Sequence, residues 1–419
     1  MEKKFIDKSV KLVIKNSIYI YILNFFSTII PIITIPYVTR VLGPEGYGKF
    51  SIAFNIITYF SVLVEYGFVL HGSRKIAVIK DNKEINKIFS LIFKARVLLC
   101  IISLTLLCIY SIFLVDKSII MCIIILFLLV IGNMFQQNWL FQGLQKMQYI
   151  TIISVVSRII SLVLIFLFVK EEKDIYLYCL FYAMTNLLVG ISGFIIVKKI
   201  LHIYLIKVRF KEIIEELKEA IYIFLSFLGS RVVISFGVTL LGLFETEYYV
   251  GIYSAIYKIP SIIVVMFSPI SQALYPFNSK NFLISKENGL KNVIKIAIPI
   301  MSFFILMSMV IIFFSKSIIQ IVFGQEYSYY YCILQILMIW IIFSILNNFL
   351  GIQILTASNN SEKYGKSFLI STIISIIVNI LFVKSFSIYG AAIAVFITEI
   401  SLSIMLSFQV IKIKKNKEI

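Results

Sequence analysis

Three strongly basic side chains, Arg158, Arg231 and Lys258, sit inside long apolar stretches of this 419-residue chain. A charge near the centre of a bilayer costs about 2.5–3.5 kcal/mol on insertion scales, so one kept there faces a water-filled path or a partner. Arg231 lies deepest, roughly 17 Å from either end of its stretch at 1.5 Å per residue, which is too far to snorkel. Gly229, Ser230 and Ser235 leave room beside it. A guanidinium in that setting suits a two-pronged grip on diphosphate or acidic-sugar oxygens; a structural pair with an acid of another helix is the alternative. Lys258 precedes Ile259-Pro260, where a mid-span proline frees a backbone carbonyl and permits a bend. Arg158, between Ser157 and Ser161, fits a ligand role and plain helix packing equally. Arg40 stands just before Gly43-Pro44, either as an interfacial anchor or at an outer entry to a cavity. Two acids complete the set. Glu399 falls near mid-membrane and Glu65 toward the inner end of the second stretch, each able to pair with a base or to take part in ion coupling.

The elements that must hold these groups are helices crossing a membrane. With 60% apolar residues and a mean hydropathy of +0.99, the composition excludes a soluble protein. About twelve stretches of roughly 20 residues, the length that spans a bilayer, fill the chain. They cover residues 17–39, 48–70, 89–115, 118–141, 149–169, 175–197, 220–243, 249–275, 293–315, 329–354, 365–383 and 388–411. No room remains for a soluble domain of ordinary size. The expected fold is an all-α polytopic membrane protein with both termini in the cytoplasm, because that choice puts 29 Lys and Arg on the inner side against 7 outside. This asymmetry also accounts for most of the net charge of +18, with no nucleic-acid partner required. Met1–Lys15 is basic and polar before a run long enough to span, so no cleaved signal peptide is expected. The five cysteines are irregularly spaced and fit neither a zinc site nor a disulfide framework. His71 and His202 fall in expected loops.

The longest connection, 198–219, divides the spans six plus six. We expect a lobe over 1–200, a cytoplasmic linker over 201–219 and a second lobe over 220–419. Within it, Val208–Ala220 mixes both charge signs with apolar residues at helical spacing, as an interfacial amphipathic helix does. An internal repeat supports the division: Gly48-Lys49-Phe50-Ser51 with Phe54 and Ile56 matches Gly251-Ile252-Tyr253-Ser254 with Tyr257 and Ile259. Prolines concentrate in spans one and eight, where bending during switching is expected. Gln136, Gln137, Asn138 and Trp139 cluster at the inner end of span four, meeting glycan or headgroup, or forming an interfacial belt.

The run Thr34-Ile35-Pro36-Tyr37-Val38-Thr39-Arg40-Val41-Leu42-Gly43-Pro44-Glu45-Gly46-Tyr47-Gly48 resembles the first-helix signature of bacterial polysaccharide repeat-unit flippases. These are the Wzx-type O-antigen and capsule exporters of the multidrug/oligosaccharidyl-lipid/polysaccharide superfamily. Further pieces follow in family order: Glu65-Tyr66-Gly67-Phe68, Ser73-Arg74-Lys75-Ile76-Ala77, and Trp139-Leu140-Phe141-Gln142-Gly143-Leu144-Gln145-Lys146-Met147. Phe323-Gly324-Gln325-Glu326-Tyr327 and Gly351-Ile352-Gln353-Ile354-Leu355-Thr356-Ala357 come later. The resemblance covers the whole chain. It implies two six-helix lobes around a central cavity, alternating access, and a polyprenyl-diphosphate-linked oligosaccharide moved from the inner to the outer leaflet of the bacterial cytoplasmic membrane. Membrane lipids, a polysaccharide polymerase and other assembly proteins are the partners it suggests.

No Gly-Lys-Ser/Thr phosphate loop occurs, so energy would come from an H+ or Na+ gradient or from the membrane potential, with no cofactor. A membrane glycan polymerase or glycosyltransferase would need a sizeable outer loop with paired carboxylates or arginines, and the outer loops here are short. An ion-coupled multidrug exporter of the same superfamily is the nearer alternative, although cationic drugs would favour an acid-lined cavity. The expected activity is transport rather than enzymatic catalysis.

Overall fold

The computed structural model describes the backbone of residues 2–79, 81–113 and 116–415, and the side chains of 15–79, 81–112 and 116–412. Among the basic residues that set the expected orientation, Lys80 and Lys417 fall outside the described residues. So do the side chains of Lys3, Lys4, Lys8, Lys11, Lys414 and Lys415. The chain packs as two compact units, Met1–Val232 and Val233–Ile419.

In the first unit the helices are α1 (Glu2–Glu65), α2 (Phe68–Val78), α3 (Asn82–Phe113), α4 (Lys117–Phe135), α5 (Asn138–Gly143), α6 (Met147–Phe168) and α7 (Ile175–Lys199). The start of α8 (Phe210–Phe244) belongs there too. The second unit holds the rest of α8, then α9 (Glu247–Ile284), α10 (Lys286–Phe313), α11 (Ser315–Val322), α12 (Gln325–Ser328), α13 (Tyr331–Asn348) and α14 (Ser361–Lys415). A π-helical turn, Phe349–Thr356, extends α13.

Among the described residues, ten helices are long and apolar enough to cross a membrane. Two of them are doubled. At 1.5 Å per residue the 64 residues of α1 would run about 96 Å, three times a hydrocarbon core. Gly43, at φ 64°, breaks α1 where Pro44 starts a new helix, and Ser387, at φ 53°, breaks α14. The twelve expected crossings are thereby recovered. Large side chains such as Leu167, Phe168, Phe313 and Leu369 lie exposed along these helices, which suits a lipid-facing surface.

Small residues set the tightest contact of the first unit. A Cβ on Gly132 would come within 2.5 Å of the Asn186 backbone, and one on Gly190 within 2.3 Å of the Gly132 carbonyl, so α4 and α7 touch main chain to main chain. The two copies of the repeat also fold alike. Phe50 stacks on Phe54 at 5.6 Å, and Tyr253 on Tyr257 at 5.9 Å.

Three expectations need correcting. His71 lies on helix α2 rather than in a loop, because Tyr66 and Gly67 turn the chain (φ 47° and 71°) and let a new helix start at Phe68. Trp139 does not sit in an interfacial belt: it is fully buried, and Gly72 leaves it room, since a Cβ there would come within 2.5 Å of the indole. Arg96 falls within the third expected stretch and is 2% exposed on α3. The segment Val208–Ala220 differs as well. Residues 201–209 run without regular structure, tied to α3 by Tyr204 N–H to Asn86 Oδ1 (3.0 Å) and Ile206 N–H to Ser90 Oγ (2.8 Å). From Phe210 onward the amphipathic turns are the opening of α8 itself.

Candidate functional site

Two of the three intramembrane bases act on one side chain. Tyr182 on α7 lies within electrostatic range of both Arg158 on α6 and Arg231 on α8. Its ring is fixed edge-on by Phe50 at 5.2 Å and Phe54 at 5.3 Å, while Tyr178 packs on Phe50 at 4.6 Å. The first copy of the repeat thus fixes the position of the Tyr182 ring. Arg158 and Arg231 are both half-buried, accessible to a ligand but not bathed in solvent.

Arg158 also opens into a recess of about 210 Å³. Asn24 and Ser27 line it from α1, Asn133 and Gln136 from the end of α4, and Asn138 from α5. Ser154 and Arg158 come from α6, and Thr185 and Asn186 from α7; Leu23, Ile150 and Val189 complete the wall. Asn186 Nδ2 donates to Asn133 Oδ1 (3.0 Å) and Asn138 Nδ2 to Gln136 Oε1 (3.2 Å). No carboxylate lines the recess, so its electrostatic preference is for an anion or a neutral polar group.

The amides are the part sequence reasoning missed. Ranking residues by charge passes over Asn24, Asn133 and Asn186, yet an amide in an apolar span is itself costly without partners and could have been flagged on that ground. Arg96 was missed for a related reason. Its guanidinium donates to the main-chain carbonyls of Asn133 (3.3 Å) and Gln136, capping the end of α4 that carries two recess residues. The Phe68 ring lies 5.9 Å from it, and Glu65 is within electrostatic range. Glu65 itself is exposed at the end of α1.

The remaining candidates stand elsewhere. Arg40 is exposed at the turn before Gly43 and does not line the recess. Lys258 is half-buried on α9, and Ser261 Oγ donates to its carbonyl at 2.9 Å, one turn around Pro260. Glu399 on α14 accepts from Asn347 Nδ2, whose Oδ1 accepts from Ser403 Oγ (2.7 Å). Trp340 and Ser344 lie beside the same carboxylate. Tyr257, next to Lys258 in the chain, stacks on Trp340 at 5.6 Å and lies within electrostatic range of Glu399. The second unit also buries a neutral knot at the π-helical turn. Gln353 donates to the Ser271 carbonyl and hydroxyl (2.9 and 3.0 Å) and accepts from Asn278 (2.9 Å).

A basic, amide-rich recess in a twelve-crossing helical protein is paired with a decisive match. The profile described as "Polysaccharide biosynthesis protein" aligns with residues 13–282, more than half of the chain. The chain belongs to the polysaccharide biosynthesis protein family. Within it, this member is 26% identical over 397 residues to a protein of Escherichia coli (strain K12) named as an O-antigen transporter, covering 94% of this chain and 96% of that one. Two solved structures share the fold at a TM-score of 0.71 each. One is an inward-facing multidrug-resistance MATE family transporter of the MOP superfamily, 14% identical over 93% of this chain and 95% of that one. The other is the lipid II flippase MurJ in an inward closed conformation, 16% identical over 95% and 87%. Fold alone does not choose between a drug carrier and a lipid carrier.

Proposed function

We propose that this protein is a flippase, not an enzyme, that carries polyprenyl-diphosphate-linked oligosaccharide repeat units from the inner to the outer leaflet of the bacterial cytoplasmic membrane by alternating access. The observation that carries this reading is that Arg158 lines a recess with no carboxylate, while Arg231 and Arg158 both lie within electrostatic range of Tyr182. Guanidinium groups in a low-dielectric setting hold diphosphate or acidic-sugar oxygens strongly, and a cationic drug would be repelled from the same place. Lys258 and Arg40 are assigned to the same anionic cargo, Lys258 in the second unit and Arg40 at the outer entry. Glu399 and Glu65 are assigned to structural pairing or to coupling with an H+ or Na+ gradient. The prenyl tail stays in lipid, where the exposed apolar helix faces would meet it. Membrane lipids and the polysaccharide polymerase that receives the product are the expected partners.

Expression in flippase-deficient strains that make different surface polysaccharides tests the reading. At least one strain should regain surface polysaccharide and stop accumulating lipid-linked oligosaccharide in the inner leaflet. Failure to relieve that accumulation in any strain, with the protein present in the membrane, would refute it.

A further inference from the structure

We infer that the recess between α1, α4, α6 and α7 is a subsite for a single sugar ring bearing an anionic group, with its amides and hydroxyls selecting which sugar enters. This rests on the reading of the protein as a carrier of lipid-linked glycans. Arg158 is the one charge in the lining. Everything else polar there is neutral, and every such group can both donate and accept, as the hydroxyls of a sugar do.

The amides do not satisfy one another. The bonds from Asn186 to Asn133 and from Asn138 to Gln136 each use one of the two hydrogens on the donating amide. Among the described residues, the Asn133 and Gln136 amide nitrogens donate to nothing inside the protein. Polar hydrogens within a membrane span need water or a ligand. A volume of about 210 Å³ is far above the roughly 10–15 Å³ that a single water requires, so the recess has room for a group of several polar atoms. It takes one ring with its substituents rather than a chain of rings. Half-buried Asn24, Gln136, Thr185 and Asn186 keep it reachable, and Arg96 fixes the α4 end by its bonds to the Asn133 and Gln136 carbonyls. Arg158 then marks where the anion sits. That anion is either a carboxylate of an acidic sugar or the phosphate on the anomeric carbon; both present the same oxygen fork to a guanidinium.

The test uses the full-length protein purified in detergent, with hexose 1-phosphates and hexuronates of gluco and galacto configuration as probes. Free hexoses and inorganic phosphate are the controls. At least one sugar anion should bind about tenfold more tightly than inorganic phosphate and than its neutral parent sugar. Thr185→Val keeps the shape and removes the hydroxyl, and Asn24→Leu removes an amide from a different helix. Each should weaken the preferred sugar anion about tenfold and leave inorganic phosphate unchanged, whereas Arg158→Ala should weaken both. A 1-phosphate as the best probe assigns the anion to the anomeric phosphate, and a hexuronate assigns it to an acidic sugar. The subsite is refuted if inorganic phosphate binds as tightly as every sugar anion, if no probe binds, or if both neutral variants match the wild type. Complementation separates this from the carrier reading. Wild type that restores no polysaccharide refutes the carrier while the binding series still scores the subsite. Unchanged binding in both neutral variants, with wild-type export intact, refutes the subsite alone.

Discussion

Arg96 illustrates how this protein accommodates a buried charge. Its guanidinium is spent on the carbonyl end of α4, where the helix dipole is negative and the last carbonyls lack intrahelical partners. Asn133 O also accepts from Gln136 N–H (3.2 Å), so Arg96→Met should leave the Gln136 carbonyl without its donor and cost about 1–3 kcal/mol, read as a lower thermal midpoint in detergent, with Arg96→Lys intermediate. Glu399 offers a sharper contrast, because its carboxylate accepts from the neutral amide of Asn347, with Trp340 and Ser344 beside it. Glu399→Gln keeps an oxygen for that amide, so normal abundance and normal export are expected; lost export at normal abundance would assign Glu399 to ion coupling. Glu399→Ala removes the carboxylate acceptor while Asn347 Nδ2 keeps its bond to the main-chain carbonyl of residue 399 (2.9 Å), so abundance should fall by no more than about 1 kcal/mol of stability. The two kinds of buried group were unequally visible in the sequence. Arg158, Arg231 and Glu399 stand out because a charge in an apolar run is rare, whereas Asn24, Asn133 and Asn186 are read as ordinary span residues until their neighbours are known.

At the scale of elements, the short helices α2 and α5 explain two of the sequence motifs. Gly143 packs against Ile76, and Gly72 against Trp139 and Ile92, so the segment around Ser73-Arg74-Lys75 and the segment around Trp139 form one joint. Gly72→Ala would place a Cβ 2.5 Å from the indole and should cost about 1–3 kcal/mol through overpacking, seen as reduced membrane abundance. The same joint anchors the opening of α8. His71 and Lys75 reach Glu216, both at 2.8 Å, Lys87 reaches Glu212 at 2.7 Å, and Tyr66 stacks on Phe224 at 4.5 Å. Glu216 is 4% exposed, and its loss leaves His71 and Lys75 half-buried with only the exposed Glu219 to answer them. Glu216→Ala should accordingly speed proteolysis in the 201–209 strap. The twelve crossings were legible from apolar length, and the break in α1 from Gly43-Pro44. The α2–α5 joint was not, because charged residues near a membrane face read as loop when no partner helix is known. The amphipathic turns of 208–220 were visible by periodicity, but periodicity cannot tell a separate helix from the first turns of a longer one.

At the scale of the molecule, orientation and transport remain to be joined. The excess of Lys and Arg on one side implies that reporters fused at Lys4, His202 and Lys415 report the cytoplasm and one at Glu247 the outside. A reporter placing His202 outside would overturn the six-plus-six arrangement. The most direct measurement follows surface polysaccharide, inner-leaflet lipid-linked oligosaccharide and protein level together in a complemented flippase-deficient strain. Arg158→Ala and Arg231→Ala should each lose export while the protein stays in the membrane, and the corresponding Lys variants should keep only part of it, since a point charge attracts the anion but lacks the two-pronged geometry. Export at the wild-type level from either alanine variant would contradict the claim that these two arginines hold the anionic cargo.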